Sequence, residues 1–205
     1  MQVGIIGAGN VGSALSKAST RAGHRVTITA EDQDEAKRVA ELVGAKAVTT
    51  NRDAVVPADI AILAVPFGAV PAIITELGPA LDGKVVIEVS NKFDPNELTG
   101  KSNAELAQEM APGAKVVKAF NTILAAHQAD PQIDGVQLDG YVAADDTAAR
   151  ATVLEFVESL GFKPIDCGPL AMARALEGMG LLNIYLNMTH RWPWQTGWKL
   201  LGPTG

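Results

Sequence analysis

The sequence of 205 residues contains one cysteine, Cys167, and no long uninterrupted apolar segment. One thiol excludes an intrachain disulfide framework and cannot build a zinc site by itself. The longest apolar stretch, residues 60–74, is broken by prolines and a glycine and is shorter than the roughly 20 residues that a membrane-spanning helix needs. The N-terminus lacks the basic start and the continuous apolar segment of a signal peptide. We therefore expect a soluble cytoplasmic protein.

Positive charge is also scarce. Seventeen Lys and Arg residues stand against 23 Asp and Glu residues, which gives a net charge of −6. This balance argues against non-specific nucleic-acid binding and against a polybasic membrane anchor. The hydrophobic fraction of 47% and the charged fraction of 20% are ordinary for a globular chain that can bury a core. The length exceeds the roughly 150 residues of an average domain, which predicts one full domain with a small appendage.

Glycine is abundant at the N-terminus, where GAGNVG (residues 7–12) matches the pattern G-x-G-x-x-G. The motif follows an apolar strand and opens a helical pattern, which is the context of a dinucleotide-binding loop. Gly7 permits the tight turn, Gly9 lets a pyrophosphate approach the backbone, and Gly12 allows close helix–sheet packing. The N–H groups of Asn10 and Val11 direct the helix dipole at the anion. The alternative is a glycine-rich turn without a ligand.

Strand and helix signals alternate along the first 120 residues. This alternation predicts an α/β fold with a doubly wound, mostly parallel Rossmann sheet. We expect residues 1–120 to form the dinucleotide-binding domain. Residues 121–205 should form a small C-terminal α/β domain that caps the cleft for a substrate or second cofactor. The predicted strands are residues 3–6, 25–29, 46–48, 60–65, 85–89, 115–120, 141–144 and 163–166, and the predicted helices include residues 11–22, 33–43, 147–160 and 170–188.

The end of the second strand bears on the choice between NAD and NADP. Glu31 lies nineteen residues beyond the glycine loop, where a carboxylate binds the adenosine ribose and repels a 2′-phosphate. No arginine lies at this turn, although Arg38 and Arg52 are near enough in sequence to replace one. The alternative is that Glu31 and Asp32 cap the next helix, with Asp32 at the N-cap and Glu35 at the third position. The pattern modestly favours NAD(H) over NADP(H).

Small polar and apolar residues follow the later strands at the same sheet edge, where ligands bind in open α/β sheets. Asn amides there can bond ribose or carboxamide groups, although local turn bonding is their common alternative role. Phe67 has a plain strand-ending turn as its alternative. We expect the cofactor to be lined on this side by Val65, Pro66, Phe67, Asn91, Ala119, Asn121 and Thr122.

Several motifs taken together resemble the F420-dependent NADP oxidoreductase family. They are GAGNVG, Gly23-His24 before the second strand, ADIAILAVP (residues 58–66), KAFNT (residues 118–122), and DCGPL (residues 166–170) followed by Ala173-Arg174 and Glu177. The nucleotide-binding domain of the Steap metalloreductases is similar too. The resemblance covers nearly the whole chain. It implies hydride exchange between a nicotinamide dinucleotide and a deazaflavin (coenzyme F420) or flavin held in the interdomain cleft.

The sequence departs from this family at three places. Ala30 and Glu31 stand where members usually carry a Ser-Arg pair for the 2′-phosphate, in agreement with the electrostatic argument for NAD(H). Asn121 stands where archaeal members use a histidine, although the Steap-like version also has Asn. Leu124 replaces a common proline.

The second ligand is assigned a separate set of residues. Arg174 suits a phosphate or carboxylate, with a salt bridge to Glu177 as the alternative. His190 could line a ring-binding pocket, while the nearby tryptophans serve equally well in an interface or a core lid. Hydride transfer between bound rings requires no general base, and neither a catalytic residue nor a metal site stands out. We expect the second ligand to contact Gly168, Pro169, Leu170, Arg174, His190 and Trp194.

The leading hypothesis is therefore an NAD(P)-dependent oxidoreductase that uses a small-molecule redox partner of the deazaflavin or flavin type. One alternative is an NAD(P)H-dependent reductase of a small carbonyl or imine, although such relatives usually append a longer all-helical domain. Another is a non-enzymatic NAD(P)-sensing module with the Trp-rich tail as its interaction surface. A buried pair of C-terminal helices would indicate a homodimer.

Overall fold

A six-stranded parallel sheet forms the centre of the computed structural model, which describes residues 1–202. The strand order is β3-β2-β1-β4-β5-β6, so the chain reverses its direction of winding between β1 and β4. The predicted α/β fold with a doubly wound sheet is confirmed. The strands are β1 (Gln2–Ile6), β2 (Arg25–Thr29), β3 (Lys46–Ala47), β4 (Ile60–Leu63), β5 (Val85–Glu88) and β6 (Lys115–Lys118).

The register aligns the carboxyl ends of the central strands. Ile6 pairs with Leu63, Leu63 with Glu88, and Glu88 with Lys118. The residues that follow these strands therefore meet along one edge of the sheet, as parallel pairing requires. The predicted strands 60–65 and 115–120 each end two residues early, because the chain turns out of the sheet at this edge.

Helices cover both faces of the sheet. They are α1 (Asn10–Arg21), α2 (Gln33–Val43), α3 (Asn51–Val55), α4 (Val70–Leu77), α5 (Asn103–Met110), α6 (Ala125–Gln128), α7 (Thr147–Ser159) and α8 (Ala173–His190). Side chains alternate between the faces, so that Val3 and Ile5 pack in one core cluster while Ile6 packs in another. No helix within residues 1–202 is long and apolar enough to cross a bilayer.

The C-terminal part adds a second small sheet. β9 (Asp139–Val142) and β10 (Lys163–Asp166) pair in parallel around α7, after a short hairpin of β7 (Gln132–Ile133) and β8 (Val136–Gln137). Lys118 and Ala143 exchange backbone hydrogen bonds of 2.8 and 3.0 Å, which join β6 to the end of β9. Phe120 contacts the ring edges of Phe156 and Phe162. The two parts therefore share one hydrophobic core.

The tail returns along α8. Thr196 Oγ1 accepts a hydrogen bond of 2.6 Å from Asn187 Nδ2, and Trp198 Nε1 donates to Met179 O at 3.2 Å. Lys199 Nζ lies 2.6 Å from Asp139 Oδ1, a carboxylate that is fully buried. The Trp-rich segment is therefore anchored to the fold at several points.

Candidate functional site

The glycine loop between β1 and α1 has the geometry of a dinucleotide-binding turn. A β-carbon at Gly7, whose φ is +111°, would lie 2.2 Å from Ala64 O, and one at Gly12 would lie 2.0 Å from Gly7 O. A β-carbon at Gly9 would have no atom within 4 Å and would project into open space. Gly7 and Gly12 thus let backbone segments approach each other, whereas Gly9 leaves room for an external group. This division of roles matches the demands of a pyrophosphate.

The first turn of α1 faces that open space. Gly9 is the N-cap and supplies no side-chain cap, and the turn contains no acidic residue. Ser13 Oγ donates to Ala8 O at 2.7 Å and holds the loop against the helix. Uncapped N–H groups at the positive end of a 12-residue helix bind anions. The residues present therefore fit a dinucleotide diphosphate at Asn10 and Val11.

Two cavities meet at the end of β2. One, of about 460 Å³, extends from Gly7 and Glu31 to Thr49, Asn51 and Glu76. The other, of about 500 Å³, is shallow and lined by Ala8, Gly9, Ala30, Glu31, Asp32 and Glu35. Among residues 1–202, no lysine or arginine lines either cavity. We call the first the adenosine cavity, because it adjoins the loop on the β2 side, where Rossmann folds bind that half of the cofactor.

Asp32 and Glu31 take different roles. Asp32 Oδ1 accepts hydrogen bonds from the N–H groups of Asp34 and Glu35 at 3.0 and 3.1 Å, which confirms the predicted N-cap. Glu31 makes no cap and lies at both cavities. Glu35 binds the Arg38 guanidinium through two bonds of 2.8 and 2.6 Å, and this pairing lowers the pKa of Glu35. Arg38, which lies on α2 near this turn, therefore already pairs with Glu35.

A third cavity, of about 370 Å³, lies at the carboxyl edge of β1, β4, β5 and β6, and we call it the central cavity. None of its lining residues in the described chain carries an ionisable side chain. They are Gly9, Asn10, Val11, Ala64, Val65, Pro66, Phe67, Val89, Ser90, Asn91, Phe93, Asn121, Thr122, Ile123, Leu124, Ala125, Gly180 and Ile184. The cavity is therefore mostly apolar, with a few amide and hydroxyl groups.

Two asparagines form its polar wall. Asn91 Nδ2 donates to Asn121 O, and Asn121 Nδ2 donates to Asn91 Oδ1 and to Leu176 O, all at 2.8 Å. Asn121 Oδ1 is buried and accepts no hydrogen bond from the described residues. A buried acceptor without a donor is costly, and an amide group of a ligand would satisfy it.

A larger cavity of about 660 Å³ lies on the other side of the loop, between α1, α2 and α6. It shares Gly9, Asn10 and Ala125 with the central cavity, and much of its wall is alanine, valine and leucine. The central cavity borders the ends of β1, β4, β5 and β6, where α/β folds bind ligands, and it is therefore the better candidate for chemistry.

The structure brings most of the predicted cofactor residues together. Gly9, Asn10, Val11, Val65, Pro66, Phe67, Asn91, Asn121 and Thr122 line the central cavity, and Gly7 and Glu31 line the adenosine cavity. Gly12 is buried under the loop. Ala119 is an exception, because it lies fully buried in the hydrophobic core. Ala119 follows the last residue of β6, and the turn of the chain there places it in the core, so it does not line the central cavity as expected.

The six residues expected around the second ligand do not line the central cavity. Gly168, with φ +79°, and Pro169 form the turn before α8, and Leu170 is buried. His190 stacks on Trp192 with ring centroids 5.0 Å apart, and Trp194 is 43% exposed. At about 1.5 Å per residue, α8 carries His190 roughly 9 Å beyond Ile184, the nearer of the two helix residues that line the cavity. The assignment of these residues to the second ligand therefore stays a prediction.

Arg174 pairs across the fold. Its Nε and a terminal nitrogen lie 2.9 and 2.6 Å from the two oxygens of Glu105, so the predicted alternative of a salt bridge with Glu177 is wrong. The hydrogen bond from Arg174 is the main cause that lowers the pKa of Glu105 to about 2. Glu105 also completes the capping box of α5 with Ser102. Arg174 lies on the face of α8 that packs toward α5, and this orientation places it beside Glu105.

Phe93, Gly180 and Ile184 also line the central cavity, although they are not among the residues predicted from the sequence. A β-carbon at Gly180 would lie 2.4 Å from Asn91 Oδ1, so the glycine is what lets α8 approach the asparagine pair. A glycine inside a helical pattern is the signal that could have indicated this close approach.

Comparison with known proteins agrees with this geometry. Residues 2–92 match the family described as NADP oxidoreductase, coenzyme F420-dependent. The F420-dependent NADP reductase of Methanothermobacter marburgensis is 32% identical over 213 residues, covering 93% of this chain and 94% of that reductase. A solved structure from Arthrobacter sp. FB24 matches with a TM-score of 0.83 at 26% identity, covering 92% of this chain and 94% of the other.

A longer protein is similar as well. Metalloreductase STEAP3 of Rattus norvegicus is 32% identical over 182 residues, which cover 88% of this chain and 36% of the metalloreductase. This chain therefore spans little more than a third of the length of such relatives. Together with the full-length match to the archaeal reductase, the glycine loop and the sheet topology support one conclusion. The chain belongs to the family of F420-dependent NADP oxidoreductases.

Proposed function

We propose that this chain transfers a hydride between a nicotinamide dinucleotide and a deazaflavin of the coenzyme F420 type, or a flavin. The observation that carries the proposal is the central cavity, which adjoins the pyrophosphate loop and has no ionisable lining residue in the described part of the chain. When bound, the two ring systems supply the electronics of hydride transfer. Family membership supports the coarser assignment, an NAD(P)-dependent oxidoreductase.

The uncharged cavity favours a ring acceptor over a carbonyl or an imine. Reduction of a carbonyl leaves charge on an oxygen, and a positioned acid such as His, Lys or Tyr usually supplies the proton. The central cavity offers only the hydroxyls of Ser90 and Thr122 and the amides of three asparagines. A conjugated ring spreads the added charge and needs no acid from the protein at the reacting carbon.

The protein residues then act by binding and orientation. The N–H groups of Asn10 and Val11 would hold the pyrophosphate at the start of α1. Asn121 Oδ1 would accept a hydrogen bond from the carboxamide group and so orient the nicotinamide. Val65, Phe67 and Ile184 would exclude water and hold the rings face to face. Such alignment supplies much of the rate of a bimolecular step.

The residues at the end of β2, where the adenosine would bind, favour NAD(H). Glu31, Asp32 and Glu35 line the shallow cavity, and Arg38 is bound to Glu35. A 2′-phosphate at this place would meet carboxylates and no free cation among the lining residues. The relatives named as NADP reductases support NADP(H) instead, and the departure at Ala30 and Glu31 is our reason for proposing a different preference here.

Two parts of the proposal can be tested by stopped-flow kinetics: the ring acceptor and the preference for NAD(H). The experiment follows oxidation of NADH and of NADPH with coenzyme F420, FMN and FAD as acceptors. We expect turnover with at least one of these acceptors and a higher kcat/KM for NADH. Absence of turnover with all three acceptors would reject the ring acceptor. Reduction of a carbonyl or imine without flavin would favour the reductase alternative, and tight dinucleotide binding without hydride transfer would favour a sensing module.

A further inference from the structure

Three ionisable side chains are buried directly behind the central cavity, and we call them the buried ion cluster. Lys118 on β6 lies 2.6 Å from Glu88 Oε2 on β5 and 2.8 Å from Glu177 Oε1 on α8. The exposed fractions of the three side chains are 0%, 0% and 1%. None of the three lines the cavity.

Burial of three ionisable groups between β5, β6 and α8 costs free energy. Two carboxylates face one ammonium group, and Glu177 Oε2 is buried without a hydrogen-bond partner among the described residues. Burial raises the pKa of Glu177, against the opposing effect of Lys118. Apolar residues of similar volume often stabilise a fold as well as a buried ion pair does or better, so stability alone does not account for such a cluster.

The hydrogen bonds of the cluster converge on Ser90, a residue of the cavity wall. Ser90 N donates to Glu88 Oε1 at 2.7 Å, and Ser90 O accepts from Lys118 Nζ at 2.6 Å. Ser90 Oγ accepts from Asn103 Nδ2 at 2.8 Å, while Asn103 N donates to Glu177 Oε1 at 2.7 Å. Both backbone polar groups of Ser90 and its hydroxyl are thus held from behind.

The next residue is Asn91, which forms the amide pair with Asn121. A shift of Ser90 would therefore move the polar wall of the cavity. Lys118 is also three residues before Asn121 and donates all three of its ammonium hydrogens, two to the carboxylates and one to Ser90 O. The cluster connects β5, β6, α5 and α8 at the point where they border the cavity.

We infer that Lys118 and Glu177 are positioning residues, which hold the Ser90–Asn91 wall and thereby set the placement of the nicotinamide ring in the central cavity. The inference rests on the proposed function. Hydride transfer is sensitive to small errors of placement, since a shift of about 1 Å can cost about 100-fold in rate. Binding of the dinucleotide, in contrast, depends mainly on the distant glycine loop.

The decisive variants are Lys118→Met and Glu177→Leu in the full chain. We expect the single-turnover rate of hydride transfer to fall about 100-fold, with the Kd for NADH or NADPH changed less than about threefold. Glu177→Gln keeps an acceptor for Lys118 and Asn103 and should recover most of the rate lost in Glu177→Leu. Lys199→Met removes another ion pair, in which Lys199 is partly exposed and Asp139 is buried. Neither residue lines the cavity, and the substitution should leave the rate unchanged.

A second readout does not depend on the acceptor. The fluorescence of bound NADH or NADPH reports whether the reduced nicotinamide lies in an apolar cavity, and we expect it to fall toward that of the free cofactor in both variants. Wild-type binding without turnover would reject the proposed function but leave this readout to decide the inference. Unchanged fluorescence and rate in a folded variant would overturn it. If Lys118→Met does not fold, Glu177→Leu and its Gln counterpart provide the same comparison.

Discussion

Gly180 on α8 lies against the side chain of Asn91, so closely that a β-carbon would stand 2.4 Å from Asn91 Oδ1. This contact joins the C-terminal helix to the wall of the central cavity. It also connects the two parts of the chain at the site of the proposed chemistry, since Asn91 follows β5 and pairs with Asn121 after β6. Substitution at this contact should therefore affect activity more than stability.

Gly180→Ala should lower kcat by about tenfold, because the methyl group displaces Asn91 and with it the nicotinamide. The higher helix propensity of alanine offsets part of the cost of the clash, so thermal unfolding should change little. Steady-state kinetics and a melting curve on the same sample measure both effects.

Gly178→Ala is the matched control. A β-carbon at this position has no atom within 4 Å, and the residue does not line the central cavity. We expect a gain of about 0.5–1 kcal/mol in the free energy of unfolding and unchanged kinetics. Equal loss of activity in both variants would contradict a specific role for the Gly180–Asn91 contact.

The dinucleotide preference should respond to charge at the end of β2. Ala30→Ser combined with Glu31→Arg should raise the ratio of kcat/KM for NADPH to that for NADH by about tenfold, equivalent to about 1.4 kcal/mol. Glu35→Gln should act in the same direction, because it removes the negative charge that pairs with Arg38 and one of the two acceptor oxygens.

Asp34→Asn serves as the comparison for these variants. Asp34 lies on the same helix, pairs with Lys37 and lines neither cavity at the end of β2. The ratio should stay near that of the wild type. A wild-type enzyme that already prefers NADPH strongly would show that our interpretation of Glu31 is wrong.

The ion pair of Arg174 with Glu105 should make stability depend on acid pH. The pKa of Glu105 is lowered to about 2, mainly by the hydrogen bond from Arg174. A lowered pKa stabilises the fold above the ordinary glutamate value, and the contribution is lost as the pH falls from about 4.5 toward 2. Arg174→Met should therefore lower the free energy of unfolding modestly at neutral pH, because solvent screens this partly exposed pair.

Urea unfolding of wild type and Arg174→Met at several pH values measures this difference. The two free energies should converge as the solution approaches pH 2. A difference that stays constant across this range would mean that the loss comes from packing rather than from the charge pair.

Tyr141 should ionise only in strongly alkaline solution. Burial, followed by the charge of Asp139, raises its pKa to about 12. Because the chain contains two tyrosines, Tyr185→Phe leaves Tyr141 as the only one. Tyrosinate absorbance of that variant should rise with a midpoint near pH 12.

The same group links stability to alkaline pH. Its folded pKa lies above the ordinary value of about 10, so its contribution is complete below pH 10 and is lost as the pH rises toward 12. A midpoint near the ordinary value, with the fold intact by circular dichroism, would contradict the burial of this hydroxyl beside Asp139.

Local signals account for the features that could be predicted from the sequence. The glycine loop and the N-cap at Asp32 depend on neighbours within a few residues, and each has the predicted geometry. β4 ends at Leu63, within two residues of the predicted end at residue 65, because this strand too is marked by a local pattern. Ala119 was misplaced because its environment depends on which way the chain turns after β6.

The cavity residues from α8 could not be predicted in this way. Which turn of the 18-residue helix meets the sheet edge depends on packing against α5 and against the segment that follows β5, and no local pattern encodes that register. The pairing of Arg174 with Glu105 rather than Glu177 could not be predicted for the same reason. Both carboxylates are within reach of Arg174, and only the tertiary fold turns Glu177 inward to Lys118.

The most direct test of the central claim is a single-turnover experiment in the absence of oxygen. Enzyme with bound NADH or NADPH is mixed with oxidised coenzyme F420, and the absorbance of both cofactors is followed. We expect the two signals to decay with one rate constant, which becomes smaller when the transferred hydrogen of the nicotinamide is replaced by deuterium. A bound dinucleotide that transfers no hydride to coenzyme F420, FMN or FAD would contradict it.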